Sequence, residues 1–494
     1  MPAAEFSTDP LAHPAAARPH RTAVVDLASG QRLSYAGLDA QVAEKAAAIA
    51  AAMEGAPAGE RYAYLGRNGI DFLVAALAAE RCGAIFVPLN WRLTAPEVGA
   101  LLRDCRPRLV EAASEFRHLT AEYRPDAEAP AAPPPPVPEG PDRPIILLYT
   151  SGTTGVAKGV IVTARNAFAA ALNFIAVGEI GPQSVLLSDL PMFHTIGLIA
   201  VARSTLMAGG TLVLSDRFLP ARTLAALADP ALGITHYFAV PVMAEALARE
   251  PSFAPAALAG LRAIFLGGAP LAPALIERFL AMGVPLVNGY GMSEAGTAIH
   301  VPIDRDAVRL SAGAVGLPAP HISVRLVRDG RDVPDGEVGE VWLAGPSVTP
   351  GYWNRPAETA AAFSDGWFRT GDLARREQGG FYRIVDRLKD MYVSGGENVY
   401  PAEVEAVLAA HQSVADAAVV GVADGQWGET GVAFVVPRDE AGCDAAALAA
   451  HCAARLAKYK CPSRILVVEA IPRSAAGKIL KPALRARLNS GEFP

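Results

Sequence analysis

Five short stretches of this chain hold residues able to work on a phosphate ester. The first is LLYTSGTTGVAKGV, residues 147–160, in which glycines, the hydroxyls of Thr150, Ser151, Thr153 and Thr154, and Lys158 follow an apolar run. Glycine lets backbone N–H groups approach an anion, hydroxyls donate to its oxygens and lysine adds charge, which is the chemistry of a phosphate cradle. The spacing is not that of a nucleotide-triphosphatase P-loop, because Gly152 is followed five positions on by Ala157 and Lys158 precedes Gly159. Such a loop is also an ordinary surface turn, so the other stretches decide. Glu294 in GYGMSEAG offers a carboxylate that suits magnesium beside phosphate oxygens. Asp372 in FRTGDLA could accept two vicinal hydroxyls or simply close a turn. Lys478 in PRSAAGKIL and His194 at the end of LPMFH complete the set, and each could equally be a solvated or structural side chain.

Behind these residues lies a chain of 494 residues, 51% hydrophobic and 19% charged, which is enough for two domains with large cores. A formal net charge of −6 supplies no basic stripe for nucleic acid and no polybasic anchor for lipid. The five cysteines form no CxxC pair and no dense disulfide spacing, and the N-terminal residues lack a basic region followed by an apolar core. A cytoplasmic, unanchored enzyme, monomeric or homodimeric, is the expectation. Residues 20–122 and 185–290 alternate short apolar runs (TAVVDL, YAYLG, SVLLSDL, AIFLGG) with Ala/Leu-rich amphipathic segments, the pattern of β/α units. Residues 128–144, rich in proline, read as an extended connector. The fold class is therefore α/β: a large N-terminal domain of layered β/α sheets with a β-rich subdomain, residues 1–388, and a small mobile α+β domain, residues 389–494.

The cradle, PMFH (191–194), NGYGMSEAG (288–296), GWFRTGDLA (366–374), RIVDRLKDMYVSGGENVYPAEVE (383–405) and PRSAAGKIL (472–480) together resemble the ordered motifs of adenylate-forming enzymes: acyl- and aryl-CoA synthetases, peptide-synthetase adenylation domains and luciferases. The resemblance spans residues 147–480 and implies ATP, Mg2+ and coenzyme A. It assigns polyphosphate binding to Thr150, Ser151, Gly152, Thr153, Thr154, Gly155 and Lys158. Magnesium falls to Glu294 with Thr150, and the nucleotide to Gly268, Ala269, Pro270, Asn288, Gly289, Tyr290, Gly291, Met292 and Ser293. Asp372, Ile384 and Arg387 take the ribose side. Lys478 would bridge carboxylate and α-phosphate, and the small domain would turn at Lys389. Ser394, Gly395 and Gly396 would line the pantetheine path, with Trp427 and Lys460 near the CoA nucleotide.

For the acid, His194, Tyr237, Phe238, Gly267 and Gly291 are the expected pocket. Acetate-specific relatives carry Trp where this chain has Gly291, so the resemblance implies a larger acid. The apolar neighbours point to an aromatic, phenylpropanoid or medium-chain aliphatic tail. The expected activity is ATP-dependent acid–CoA ligation; loading of a separate carrier protein and luciferase-type oxygenation share the same motifs.

Overall fold

Alternating apolar runs and amphipathic segments build the sheets expected of them. The structure is a computed structural model that describes residues 7–123, 140–150, 157–267, 271, 273–394, 397–425, 427–439, 443–473, 478–490 and 492–493. Ser151, Gly152, Thr153, Thr154, Gly155, Gly268, Ala269, Pro270, Gly395 and Gly396 lie outside the described residues. The chain divides into two units, residues 1–324 with 343–368, and residues 325–342 with 369–494. Two segments before residue 388 thus group with the C-terminal residues, and the boundary at 388/389 stays a proposal.

In the first unit the strands are β1 (Thr22–Asp26), β2 (Arg32–Ser34), β3 (Arg61–Leu65), β4 (Ile85–Leu89), β5 (Leu109–Ala112), β6 (Pro144–Thr150), β7 (Lys158–Thr163), β8 (Val185–Ser188), β9 (Thr211–Leu214), β10 (His236–Ala239), β11 (Ala263–Leu266), β12 (Leu286–Met292), β13 (Gly296–His300) and β14 (Leu317–Pro318). They form a nine-stranded sheet, β14-β13-β12-β11-β10-β8-β9-β1-β2, and a five-stranded sheet, β5-β3-β4-β6-β7. The centre of the larger sheet is parallel from β1 to β12, while β13 folds back antiparallel on β12. Strands buried on both faces read as continuous apolar runs, which is why VLLS, AIFL and TLVL carry no alternation.

Helices α1 (Ala12–Ala17), α2 (Tyr35–Ala52), α3 (Ile70–Cys82), α4 (Ala95–Cys105) and α5 (Ala164–Val177) follow in order. Every residue of α3 from Phe72 to Glu80 is buried, so this helix is apolar almost all round. Entry to α5 is fixed by a reciprocal cap, in which Thr163 N donates to Asn166 Oδ1 (2.9 Å) and Asn166 N donates to Thr163 Oγ1 (3.1 Å). The Asn166 amide also donates to Pro346 O and Val348 O, tying the segment 346–348 to α5.

In the second unit, residues Asp372–Arg376 of the strand Trp367–Arg376 pair antiparallel with Tyr382–Arg387. A further sheet joins Tyr392–Ser394, Glu397–Val399, Val414–Asp424, Gly428–Pro437 and Arg464–Val467. Apolar residues on its two faces form separate clusters, one around Tyr392, Val419 and Leu448 and one around Val420, Phe434 and Leu484. Among the described residues no helix is long and apolar enough to cross a membrane.

Candidate active site

Open parallel sheets place ligands beyond the carboxyl ends of their strands, and there the first unit gathers its reactive side chains. Thr150 closes β6 and pairs with Lys158, which opens β7, so both ends of the cradle are held by the ladder. Lys158 Nζ lies 5.3 Å from the centroid of the Tyr352 ring. The Tyr352 hydroxyl donates to Glu294 Oε1 at 3.1 Å. Burial, then Glu294, raises the Tyr352 pKa, keeping the phenol a donor. Glu294 sits in the turn between β12 and β13, and its backbone oxygen accepts from Thr349 N at 2.7 Å. Ser293 and Glu294 line a small crevice with Thr195, Asn166 and Thr349. Tyr352, in TPGYWN, went unnoticed in the sequence; its only local signal is Gly351, whose φ of 145° requires glycine.

His194 leaves β8 on a loop held from below. Asn68 donates to Leu190 O (2.7 Å) and Ser215 O (3.2 Å) and accepts from Met192 N (2.8 Å). The loop then enters a π-helical segment, Ile196–Arg203, an uncommon winding found frequently at functional sites. Gly197 has to be glycine here, since a Cβ would sit 2.5 Å from Pro191 O. Arg203, at the end of that segment, forms a buried pair with Glu80 at 2.6 Å. Burial, and then the charge of Arg92, pushes the His194 pKa down to about 4, so the imidazole is neutral near pH 7.

The expected acid pocket is only partly assembled as foreseen. Phe238 lies with Phe174 and Phe265, at centroid distances of 5.7 and 6.1 Å, on the face of the sheet covered by α5. Gly267 opens beside it, with Phe238 Cζ 3.6 Å from where a Cβ would stand. Tyr237 is on the opposite face of β10, because neighbouring strand residues alternate. It is fully buried, and its hydroxyl meets Asp189, to which Thr223 also donates. Tyr237 therefore does not line this face. Burial pushes Asp189 up to about 7 despite those donors. At Gly291 a Cβ would meet Gly296 O at 2.3 Å, so the glycine relieves a close approach of β12 to β13, and its side-chain direction opens no room for a tail. Asn288 uses its amide internally, donating to Ala314 O and accepting from Gly289 N. Tyr290 and Met292 pair with Ile299 and Gly296 in the β12–β13 hairpin.

In the second unit Asp372 and Arg387 are direct cross-strand partners, with Arg387 Nε 3.0 Å from Asp372 Oδ1 and the carboxylate 6% exposed. Ile384 pairs with Ala374 in the same ladder. Lys389 lies in the turn that follows. Ser394 is buried, so its hydroxyl lines no open surface as the structure stands. Lys460 is engaged by both oxygens of Glu403, at 2.7 and 2.8 Å, which leaves less of its charge for a phosphate. Trp427 is half-buried, with Lys458 Nζ 6.0 Å from its ring. Lys478 is exposed beside the bridge between Arg473 and Ile479.

A family model described as AMP-binding enzyme matches residues 11–353, and one for the AMP-binding enzyme C-terminal domain matches residues 403–478. A feruloyl-CoA synthase from a Streptomyces species is 40% identical, covering 95% of this chain and 96% of its own. An indoleacetate–CoA ligase from Aromatoleum aromaticum is 36% identical, covering 92% of each chain. Among solved structures, o-succinylbenzoate CoA synthetase (MenE) from Bacillus subtilis in complex with its acyl-adenylate intermediate matches with a TM-score of 0.85 at 31% identity, covering 97% of this chain and 98% of that one. Family models match residues 11–353 and 403–478, and the relatives cover more than nine-tenths of the chain: it belongs to the AMP-binding, adenylate-forming enzymes.

Proposed function

We propose that the chain is an AMP-forming acid–CoA ligase acting on an aryl acid. A carboxylate oxygen attacks the α-phosphorus of ATP, the bond to the β-phosphate oxygen breaks and pyrophosphate leaves. The CoA thiolate then attacks the acyl carbon of the adenylate, and AMP leaves. The first step brings two anions together, so its barrier falls when charge is neutralised and the attack aligned.

The observation that carries this reading is the sequence of contacts from Lys158 to Tyr352 to Glu294, the last of which lines the crevice. Lys158 sits at the start of β7, where it can meet polyphosphate oxygens. Glu294 offers one carboxylate, and among the described residues no three His, Cys, Asp or Glu side chains cluster as a metal site. That donor set fits magnesium brought by ATP, since this ion takes one or two carboxylates with phosphate oxygens and water. Bound there with Thr150 and Glu294, the ion would offset charge on the phosphates. The neutral His194 borders the entrance to the acid pocket without adding a cation. Asp372 supplies a carboxylate for the ribose hydroxyls, with Arg387 beside it, and Lys478 supplies the bridging charge for adenylation.

The aryl acid is supported by the Phe174–Phe238–Phe265 wall and by relatives named for ferulate and indoleacetate. A screen of aryl and alkyl acids with ATP and CoA tests this, with thioester and AMP measured together. Formation of ADP and phosphate would refute the ligase; turnover of alkyl acids alone would refute the aryl assignment.

A further inference from the structure

Three polar atoms at the ligand end of the nine-stranded sheet are buried without a hydrogen-bond partner among the described residues: Ser188 Oγ, His194 Nε2 and His300 Nε2, of which the last faces the phenylalanine wall. His300 ends β13 and pairs across to Gly289, where β12 leaves its parallel neighbour β11. Its Nδ1 lies 2.7 Å from Val301 O, which places the ring proton on Nδ1. Nε2 is then a lone-pair acceptor. It is buried and has no hydrogen-bond partner among the described residues, in a side chain only 4% exposed. Burial pushes the His300 pKa down to about 4, so the ring is neutral near pH 7. A buried acceptor left unmet calls for an explanation.

Its surroundings supply one. The Cδ2–Nε2 edge lies over Gly289, where a Cβ would come within 2.6 Å of Cδ2 and 3.3 Å of Nε2. Gly267 stands alongside, its Cβ position 3.5 Å from Gly289 O and 3.6 Å from Phe238 Cζ. Phe265 closes the same wall, 5.4 Å from the His300 ring. Two glycines, two phenylalanines and a single acceptor thus share one face. His236 also has an unpartnered Nε2, but it is the first residue of β10, at the end of the strands away from the ligand loops, and it stacks flat on Phe265.

We infer that His300 Nε2 accepts a hydrogen bond from a donor on the tail of the acid, so that the enzyme selects hydroxyaryl acids or N–H heteroaryl acids over phenyl and alkyl acids lacking that donor. The inference rests on the ligase reading above and narrows its substrate class. A site that hydrogen-bonds a substrate group discriminates against the analogue without it, because its own polar atom is then left bare.

The test uses the full-length enzyme and acids matched except for the donor: 4-hydroxycinnamate against cinnamate and 4-methoxycinnamate, indole-3-acetate against its N-methyl analogue, and octanoate. Wild type should favour at least one donor acid over its matched partner by about tenfold or more in kcat/KM. His300→Phe should bring that ratio towards one by lowering the donor acid alone, and His300→Gln, which keeps an acceptor, should retain part of it. Unchanged selectivity in a folded His300→Phe overturns the inference. If that variant does not fold, equal wild-type rates for matched acids overturn it on their own. Turnover of octanoate alone overturns it while the ligase stands, whereas AMP formation with no acid at all removes the ligase reading itself.

Discussion

Replacing Tyr352 by phenylalanine removes one oxygen atom and leaves the ring. The hydroxyl donates to Glu294 Oε1 at 3.1 Å, while the ring holds Lys158 Nζ at 5.3 Å. Phenylalanine keeps the second contact and loses the first, so Glu294 gains rotational freedom without a change in packing. Hydrogen bonds to charged groups contribute about 1.5–3 kcal/mol, and a carboxylate lining a crevice falls at the lower end of that range. Since about 1.4 kcal/mol is a factor of ten, kcat/KM for MgATP should fall about tenfold. Tyr352→Ala removes the ring as well and should fall further. The assay is ATP–pyrophosphate exchange at saturating acid with MgATP varied, and separately with free Mg2+ varied. Wild-type exchange by both variants at every Mg2+ concentration would show that Tyr352 merely packs its loop. Equal losses in KM for MgATP and for the acid would point to general damage.

Asn68→Ala should lower stability by about 2–4 kcal/mol by denying buried Met192 N and Leu190 O their partners, read in thermal melts; a shift near zero would mean water takes over the clamp. On acidification His194, His236 and His300 should each weaken the folded chain, because burial pushes each down to about 4. Between about pH 6.5 and 4 the unfolded chain gains three protons on these rings that the folded chain refuses. Asp189, pushed up to about 7, opposes this with one proton held only when folded. Asp386 and Glu405, also raised by burial, oppose it in the same sense, so the readable effect is the difference between variants: His236→Phe should make the acid slope less steep than wild type by about 1.4 kcal/mol per pH unit in urea titrations; an unaltered slope contradicts the assignment. Lys478→Ala should lower adenylation by roughly 10² to 10³ while sparing thioester formation from supplied acyl-adenylate, and an equal loss in both halves would refute a role confined to adenylation.

The β/α layers were legible because their strands are short apolar runs, several ending at Gly, as in AIFLGG and YAYLG. Grouping residues 325–342 with the C-terminal unit was not, since it depends on pairing between segments far apart in the chain. The site motifs announced themselves by residue type, yet type does not say what else a side chain holds. Asn288 is spent on Ala314, Lys460 on Glu403, and Gly291 on the approach of Gly296. Strand alternation alone separates Tyr237 from Phe238, since adjacent residues face opposite sides of a sheet. Tyr352 reaches Glu294 across 58 positions, and Asn68 reaches Met192 across 124, so no local pattern marks either.

The central claim is that a carboxylate attacks the α-phosphorus, and the fate of its oxygen tests this most directly. The enzyme is given ATP, CoA and an acid labelled with ¹⁸O in the carboxylate, and the products are weighed by mass spectrometry. Adenylation requires one labelled oxygen in AMP and none in pyrophosphate. Label in inorganic phosphate with ADP as co-product, or AMP without label, would contradict it.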